Sequence, residues 1–306
     1  MNITKKSLLG RIWFNRQVYL LLLPGVLFYF LFCYVPMAGL QLAFKQFNAR
    51  LGIWGSRWVG MLNYTYVLRD PVFWRAFRNT IIISLERILF QFPVPVILAL
   101  LINELNSRRY KRVLQTIYTF PNFLSWVIIS GIMFNLFEAT GLVNSILGMF
   151  GFESFPFLTS TKLIRPLLYI TENWKSAGWA AIIYLAAISG IEMEQYESAI
   201  IDGTSRLQRM LFITLPGIQG TIIVMFILSM GNIMNAGFDQ VFNLTNAVVQ
   251  DRIDILDVYI YRITFQGNTD FGFSTAISLM KAVINFTFLL SANQISKLIT
   301  KTGIFS

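Results

Sequence analysis

Residues 17–44 read QVYLLLLPGVLFYFLFCYVPMAGLQLAF, a run of 28 residues without a charged side chain. A helix needs roughly 20 residues to cross the hydrocarbon core of a bilayer, so this run predicts a spanning helix over residues 18–42. A cleaved signal peptide is shorter and ends in small residues, whereas Phe32 precedes Cys33 here, which fits neither a cleavage site nor a lipid-modified cysteine. We therefore expect the N-terminal segment to be retained.

The composition of the whole chain is that of a membrane protein. Of its 306 residues 55% are hydrophobic and 13% are charged, and the mean hydropathy is +0.59. Histidine is absent and cysteine occurs once, which excludes a His-ligated metal site, a Ser-His-Asp triad, a CxxC redox pair and an internal disulfide. The net charge of +10 is spread between apolar runs, so it favours contact with anionic lipid and control of topology over nucleic-acid binding.

Five further apolar runs follow the first. The fourth is the weakest, because only 16 uncharged residues separate Lys175 from Glu192, and we expect its helix to begin near Leu167 and to bury Lys175. The predicted fold is therefore all-α and polytopic, with six transmembrane helices. The five runs cover residues 79–103, 113–137, 167–191, 210–238 and 271–296.

The distribution of lysine and arginine predicts that both termini are cytoplasmic. The connection after the second run has basic residues at four of the five positions 108–112, and the N-terminal segment and the C-terminal tail carry more, including Lys5, Lys6, Arg11 and Lys301. Lys and Arg number about 12 inside against 10 outside, but six of the latter lie in one long loop, which the positive-inside rule weights less. The organisation expected is a cytoplasmic segment 1–17, a first span 18–42, an extracytoplasmic loop 43–77, a core 78–296 with a cytoplasmic segment 192–217, and a cytoplasmic tail 297–306.

The cytoplasmic segment between the fourth and fifth runs has a distinct pattern. It reads Glu192-Met-Glu-Gln-Tyr-Glu197-Ser-Ala199-Ile-Ile-Asp202-Gly203 and ends in Ile213-Thr-Leu215-Pro216. Acidic residues favour a helix N-terminus, and glycine can adopt the positive φ that ends a helix. The segment therefore predicts a short helix, a turn and a second helix. Composition alone is equally compatible with a solvated surface hairpin that joins two spans.

The spacing of this segment resembles the EAA loop of ABC importer membrane subunits, E-A-A-x3-G-x9-I-x-L-P. Ser198, in place of the first alanine, is the one departure. Over about residues 15–300 the chain resembles the branch that serves complex and polysaccharide-derived oligosaccharides, although Asn122 stands where that branch often has histidine. The residues that match the EAA pattern, including the Asp-Gly pair common in sugar importers, are Glu197, Ala199, Asp202, Gly203, Ile213, Leu215 and Pro216. The branch is matched at Pro93-x-Pro95, Phe120-Pro121, Ser125-Trp126, Gly237-Phe-Asp239-Gln240 and Thr275–Lys281.

The resemblance implies a permease subunit of a type I ABC importer in the bacterial cytoplasmic membrane. It implies a heterodimer with a second homologous permease chain, two ATPase subunits, an extracytoplasmic solute-binding protein and an oligosaccharide substrate. Residues 194–202 would form a coupling helix in a groove of an ATPase, where Glu197 pairs with a basic residue. Gly203 would permit the bend, and Ile213, Leu215 and Pro216 would anchor the helix to the fifth span. Since the chain has no Walker A pattern, ATP and magnesium are expected on the ATPase subunits, and no cofactor or metal on this chain.

Polar side chains inside the spans are candidates for the sugar pathway, because an ionisable group there costs at least about 2.5–3.5 kcal/mol. Ordinary membrane packing is the competing interpretation, and structural ion pairs compete for Glu86, Arg87, Lys175 and Lys281. Asp239 and Gln240 either pair with one of these cations or face the pathway. The cations leave room for an acidic oligosaccharide that contains uronate. The candidate pathway residues are Asn122, Ser125, Trp126, Asn173, Trp174, Lys175, Asn232, Asn235 and Asp239.

Two other classes of protein compete with a transport subunit. A membrane-embedded enzyme of lipid-linked sugar metabolism would gather acidic residues around a divalent ion, and Asp251, Asp254 and Asp257 do cluster in sequence. Their spacing, however, suits a solvated helix face on the predicted outer side. A scaffold without transport activity would have no use for a loop whose role is to dock an ATPase.

Overall fold

The computed structural model describes residues 13–267 and 270–300. Residues 1–12, 268–269 and 301–306 lie outside the described residues, and so do the predictions that rest on Lys5, Lys6, Arg11 and Lys301. The described chain forms two compact units. Unit 1 comprises residues 13–67 and 270–279, and unit 2 comprises residues 68–267 and 280–300.

Unit 1 begins with the first apolar run, which is helical throughout but changes its winding. Helix α1 (Arg16–Tyr29) passes into a π-helical turn (Phe30–Tyr34) and a 3-10 segment (Val35–Phe44) with proline in its first turn. A two-stranded antiparallel ribbon follows, in which Lys45 pairs with Trp58. The remaining elements of this region are β1 (Lys45–Gln46), α2 (Gly52–Gly55), β2 (Arg57–Trp58) and α3 (Leu62–Arg69).

Unit 2 contains most of the helices, and its first one shows how the sequence sets a boundary. The Asp70 carboxylate accepts a hydrogen bond from the Val72 N–H at 2.8 Å, and Pro71 occupies the first helical position, where no N–H is needed. The helices are α4 (Pro71–Gln91), α5 (Pro93–Asn103), α6 (Arg108–Thr119), α7 (Trp126–Phe137), α8 (Leu142–Met149), α9 (Ile164–Ile188), α10 (Met193–Ile201), α11 (Arg206–Arg209), α12 (Leu215–Gly217), α13 (Gln219–Gly231), α14 (Phe238–Leu244), α15 (Gln250–Ile253), α16 (Leu256–Phe265) and α17 (Phe271–Thr300). The last of these begins among the residues of unit 1.

Two apolar clusters hold unit 2 together. One joins α4, α7, α9 and the segment after α13, with Ile83, Leu168 and Val241 fully buried. The other joins α5 and α9 to the chain around Ile218. Side chains outside these clusters leave long apolar faces exposed on the helices, as expected for a chain whose solvent is lipid.

The predicted all-α, polytopic fold is confirmed, and the six predicted spans lie within the range that the structure allows. Among the described residues, four helical stretches are long and apolar enough to span a membrane: Arg16–Phe44, Pro71–Asn103, Trp126–Met149 and Phe271–Leu298. Two bent pairs bring the total to six if each counts as one span, and their angles are 78° at residues 188–193 and 60° at residues 217–219. The helix of the fourth run, α9, begins at Ile164, close to the predicted start near Leu167. Lys175 in this helix is half-buried.

The prediction of one helix over residues 113–137 is wrong. Helix α6 ends at Thr119, a 3-10 turn follows at Phe120–Phe123, and Leu124 and Ser125 are extended. Pro121 supplies no N–H to continue the helix, and the Ser125 hydroxyl accepts a hydrogen bond from the Ile128 N–H to start α7. The spanning stretch here is Trp126–Met149 instead.

The fifth run, residues 210–238, is not one continuous helix either, and the candidates Asn235 and Asp239 lie beyond the apolar helix that ends at Gly231. Helix α13 ends at Gly231, and Asn232 is its C-terminal cap. The chain then turns through Gly237, which has a φ of +82°, into the separate helix α14 that carries Asp239. A φ in this region favours glycine strongly, so Gly237 sets the position of the turn.

Candidate functional site

The segment with the EAA-like pattern folds as a helix, a turn and a second helix, as predicted. Helix α10 begins at Met193, one residue before the predicted start, and Asp202 is its C-terminal cap. Gly203 has a φ of +75°; its N–H donates to the Ile200 carbonyl, and the Thr204 N–H donates to the Ala199 carbonyl, both at 3.0 Å. This pair of hydrogen bonds is a Schellman motif, which satisfies carbonyls at the helix end.

Hydrogen bonds connect α10 to the chain that follows the turn. The Ser205 hydroxyl and the Gln208 side chain form a capping box at the start of α11. The Arg209 guanidinium donates to the Thr204 carbonyl at 2.6 Å, and the hydroxyls of Tyr196 and Thr214 are 2.9 Å apart. These contacts link α10 to the residues that lead into α13.

The predicted residues of this segment divide between an inner and an outer side. Ala199 is buried, and Leu215 packs on the apolar cluster around Ile218. Glu197 is exposed and has no partner within the described residues. The apolar side chain of Ile201 is 85% exposed. Of the remaining predicted residues, Ile213 is half-buried, and Asp202, Gly203 and Pro216 are exposed.

Four of the nine candidate pathway residues line one cavity of about 310 Å³, which we call the Lys175 cavity. The break between α6 and α7 frees backbone carbonyls, and the Lys175 ammonium donates to those of Asn122 at 2.8 Å and Leu124 at 2.6 Å. An ammonium has three donors, so one remains for the cavity. The Lys175 nitrogen also lies 6.0 Å from the centre of the Trp126 ring. The predicted residues in this lining are Ser125, Trp126, Lys175 and Asp239, and Asn243 lies among them.

A second cavity of about 410 Å³, the Arg87 cavity, contains two more candidates, Asn232 and Asn235. Three polar atoms in its lining are buried without a hydrogen-bond partner in the described chain: Ser84 Oγ, Arg87 Nε and Gln91 Nε2. Each such atom typically costs about 1–3 kcal/mol when it stays unpaired. Ser84 and Gln91 are absent from the sequence-based candidates, although their spacing of three and four residues from Arg87 marks one face of a helix.

The structure does not bring the remaining candidates into these cavities. The Asn173 amide donates to the Phe90 carbonyl at 3.2 Å and so links α9 to α4. The Trp174 side chain is 50% exposed and lines neither cavity. Asn122 contributes its backbone carbonyl, described above. Trp126 and Asn235 line different cavities, and Asn173 and Trp174 line neither of the two.

The interpretation of Asp251, Asp254 and Asp257 as one solvated helix face is wrong. Asp251 lies in α15 and Asp257 in α16, whereas Asp254 lies between the two helices and is fully buried. Each pairs with a different base: Asp251 with Arg75 at 3.0 Å, Asp254 with Arg262 at 2.6 Å, and Asp257 with Lys281 at 2.5 Å. Carboxylates used in this way do not form a common ion site. The described residues contain no group of three or more acidic or cysteine side chains that could hold a metal.

Other buried charges are also used structurally. The Glu86 carboxylate accepts from the Tyr169 hydroxyl and lies 3.8 Å from Arg165, while the Arg87 guanidinium donates to Gln240 Oε1. Burial, and then the hydrogen bond to the Asp70 carboxylate, raise the pKa of Tyr259 well above its usual range. These contacts join elements far apart in sequence.

Comparison with known proteins agrees with this geometry. Residues 91–301 match the family model of the binding-protein-dependent transport system inner membrane component. Protein LplB of Bacillus subtilis (strain 168) is 40% identical over 292 residues, covering 95% of this chain and 92% of the relative. The polygalacturonan/rhamnogalacturonan transport system permease protein YteP of the same organism is 37% identical, covering 98% of this chain and 94% of the relative.

A solved structure agrees as well. A chain in the crystal structure of a bacterial alginate ABC transporter, in complex with an alginate pentasaccharide-bound periplasmic protein, superposes with a TM-score of 0.89. It is 36% identical to this chain, and the alignment covers 98% of this chain and all of that one. The sequence match, the shared fold and the helix-turn-helix around Gly203 lead to one conclusion: this chain belongs to the family of inner membrane components of binding-protein-dependent transport systems, and it is a non-catalytic permease subunit of an ABC importer in the bacterial cytoplasmic membrane.

Proposed function

We propose that this permease imports an acidic, polysaccharide-derived oligosaccharide. Two of its relatives handle polymers of uronic acids: one transports polygalacturonan and rhamnogalacturonan, and the other belongs to an alginate importer. The single observation that carries the proposal is the Lys175 cavity, because its cation is held by two backbone carbonyls and not by a carboxylate. A cation in this state can attract an anionic sugar without first breaking an ion pair.

The proposed working complex contains this chain, a second homologous permease, two ATPase subunits and an extracytoplasmic solute-binding protein. ATP and magnesium act on the ATPase subunits. Helix α10 docks on one of them, with Glu197 available for a basic partner and the exposed Ile201 for an apolar contact. The bonds from Tyr196 and Arg209 then transmit the closing movement towards α13.

The pathway residues proposed are those that line the two cavities. In the Lys175 cavity, Trp126 offers an aromatic face for a sugar ring, while Ser125, Asp239 and Asn243 offer hydrogen-bonding groups for its hydroxyls. Asn232 and Asn235 offer amides in the Arg87 cavity. Asn122 and Asn173 support these linings through backbone and interhelix contacts, and we assign Trp174 no contact with the sugar.

The substrate class is tested by uptake into proteoliposomes that contain the complete complex, with its binding protein outside. We expect trigalacturonate to enter faster than a neutral trisaccharide. Preferential entry of the neutral trisaccharide would refute the proposal of an acidic substrate. The assignment of the chain as an importer permease would not be affected.

The pathway assignment is tested with two tryptophan truncations. Trp126→Ala should lower uptake per assembled complex roughly 2- to 12-fold, because an aromatic contact contributes about 0.5–1.5 kcal/mol. Trp174→Ala is the matched control and should leave that ratio unchanged. If both variants merely lower the amount of complex, packing explains both residues, and the pathway assignment of Trp126 is wrong.

A further inference from the structure

The Arg87 cavity has a donor-rich wall formed by one face of α4. Ser84, Arg87 and Gln91 succeed one another at three and four residues, and each has a buried polar atom without a partner in the described residues. All three side chains line the same cavity. Protein interiors rarely leave even one such atom unpaired, so three of them in residues that line one cavity indicate a polar occupant.

Contacts with Gln240 and Gly237 hold the Arg87 guanidinium in place. Nη2 donates to Gln240 Oε1, and Gln240 is itself fixed, because its amide donates to the Leu168 carbonyl and the Thr171 hydroxyl, both at 2.8 Å. The backbone of Gly237 lies directly against the guanidinium, in space that any Cβ would fill. Arg87, which lines the cavity, is therefore preorganised, and its buried Nε–H has no partner among the described residues.

The positive charge of Arg87 is not neutralised by an ion pair. None of the four ion pairs formed among the described residues includes it, whereas Lys281 in α17 is paired with Asp257. Glu172 acts on Arg87 electrostatically, but it is neither in an ion pair with it nor part of the cavity lining. A buried guanidinium whose side-chain partner is a neutral amide favours an anion in the adjoining space.

The rest of the lining suits a sugar. The cavity volume of about 410 Å³ lies within the usual range for small-molecule sites, and Ser229, Asn232 and Asn235 present hydroxyl and amide groups. Such groups hydrogen-bond to ring hydroxyls, while a guanidinium beside an amide matches a carboxylate. A small inorganic anion would leave most of this volume and these groups unused.

We propose that the Arg87 cavity is a carboxylate-binding subsite that receives one uronate residue of the oligosaccharide. Arg87 Nε and Gln91 Nε2 donate to the carboxylate, and Ser84 donates to the same group or to a neighbouring hydroxyl. Arg87 is thereby a specificity-determining residue for acidic over neutral sugars. The inference rests on the proposed function and adds to it a second site of acid recognition, distinct from the Lys175 cavity.

The test is equilibrium binding to the purified complex of both permeases and the ATPases, without the binding protein, so that only the permease cavities select. The probes are trigalacturonate and its carboxyl-reduced, neutral counterpart. In Arg87→Gln we expect the Kd of trigalacturonate to rise at least tenfold, towards that of the reduced compound, and the Kd of the reduced compound to stay unchanged. Arg87→Lys should retain part of the preference because it retains the charge.

Arg78→Gln is the matched control, since it removes an arginine from the same helix outside this cavity. It should leave both dissociation constants unchanged. If Arg87→Gln does not assemble, Gln91→Leu replaces it and should weaken binding of trigalacturonate more than binding of the reduced compound.

Three results would overturn the inference: equal weakening of both probes by Arg87→Gln, no effect on either, or an equal effect of Arg78→Gln. If the wild-type complex imports trigalacturonate but Arg87→Gln gives the first or the second of these results, the proposed function stands and the subsite is refuted. A wild-type complex that neither binds nor imports it loses both.

Discussion

Gly203 is the residue of the coupling segment on which a single substitution acts most selectively. Its φ of +75° lies in the left-handed region, and an added Cβ would meet no atom within 4 Å. A side chain at this position therefore strains the backbone without creating a clash. Within this chain, the change acts on the conformation of the turn.

The size of the effect depends on the side chain introduced. Valine is β-branched, so holding a positive φ costs of order 1–3 kcal/mol, whereas asparagine tolerates this region much better. A cost of 1–3 kcal/mol shifts the equilibrium between the observed turn and a turn with negative φ by roughly 5- to 150-fold. Loss of the turn removes the hydrogen bonds from Gly203 to Ile200 and from Thr204 to Ala199.

The assay compares Gly203→Val with Gly203→Asn in the reconstituted complex. Gly203→Val should insert and assemble normally, because the residue is exposed and packs against nothing. It should lower both sugar uptake and the ATP hydrolysis stimulated by the loaded binding protein, in the same proportion. Gly203→Asn should retain most of both activities.

Either of two results would refute this reasoning. Unchanged coupled hydrolysis in Gly203→Val would mean that the left-handed turn is not needed for coupling. An equal loss in Gly203→Asn would mean that the side chain, and not the backbone conformation, disturbs the docking surface.

Two further pairs of variants test the packing of unit 2, with the thermal unfolding midpoint of the purified complex as the measurement. Arg262→Leu leaves the fully buried Asp254 without its cation and should destabilise by about 3–5 kcal/mol, whereas Asp251→Asn disrupts an exposed pair and should cost less than about 1 kcal/mol. Equal midpoints for the two would contradict the buried ion pair. Gly178→Ala places a Cβ against the Tyr118 carbonyl where α9 crosses α6 and should cost about 1–3 kcal/mol, while Gly148→Ala has open space and should be neutral or stabilising. A Gly178→Ala complex as stable as Gly148→Ala would contradict that close crossing.

The helix breaks at Pro121 and Gly237 show where sequence patterns fail to predict the structure of a membrane protein. Pro121 and Gly237 are ordinary helix-breaking residues, yet spanning helices tolerate both because neighbouring groups satisfy the freed backbone. An uncharged run of 25 residues at 113–137 is therefore compatible with one helix or with the observed break. The tertiary structure decides for the break, since the Lys175 ammonium occupies the freed carbonyls of Asn122 and Leu124.

The sequence also did not predict which groups the buried charges pair with. Adjacency excluded a simple pair between Glu86 and Arg87, because neighbours on a helix diverge by about 100°. Their actual partners, Tyr169 and Gln240, lie 83 and 153 residues away along the chain. These partners depend on how each helix is rotated about its axis in the bundle. A run that is apolar on all sides does not specify that rotation.

The sequence by itself determined the features that depend on local chemistry. Charge-free length determined the all-α, membrane-spanning class. The spacing from Glu197 to Pro216 determined the family and the helix-turn-helix, because glycine adopts that turn without steric cost. The tertiary structure decided which polar side chains share a cavity. It grouped Trp126 with Lys175 and Asp239, left Trp174 outside, and brought Asn232 and Asn235 to the cavity that Arg87 lines. The physical reason is that a cavity is bounded by several helices, and their rotations and crossings are set by packing between residues far apart in the chain.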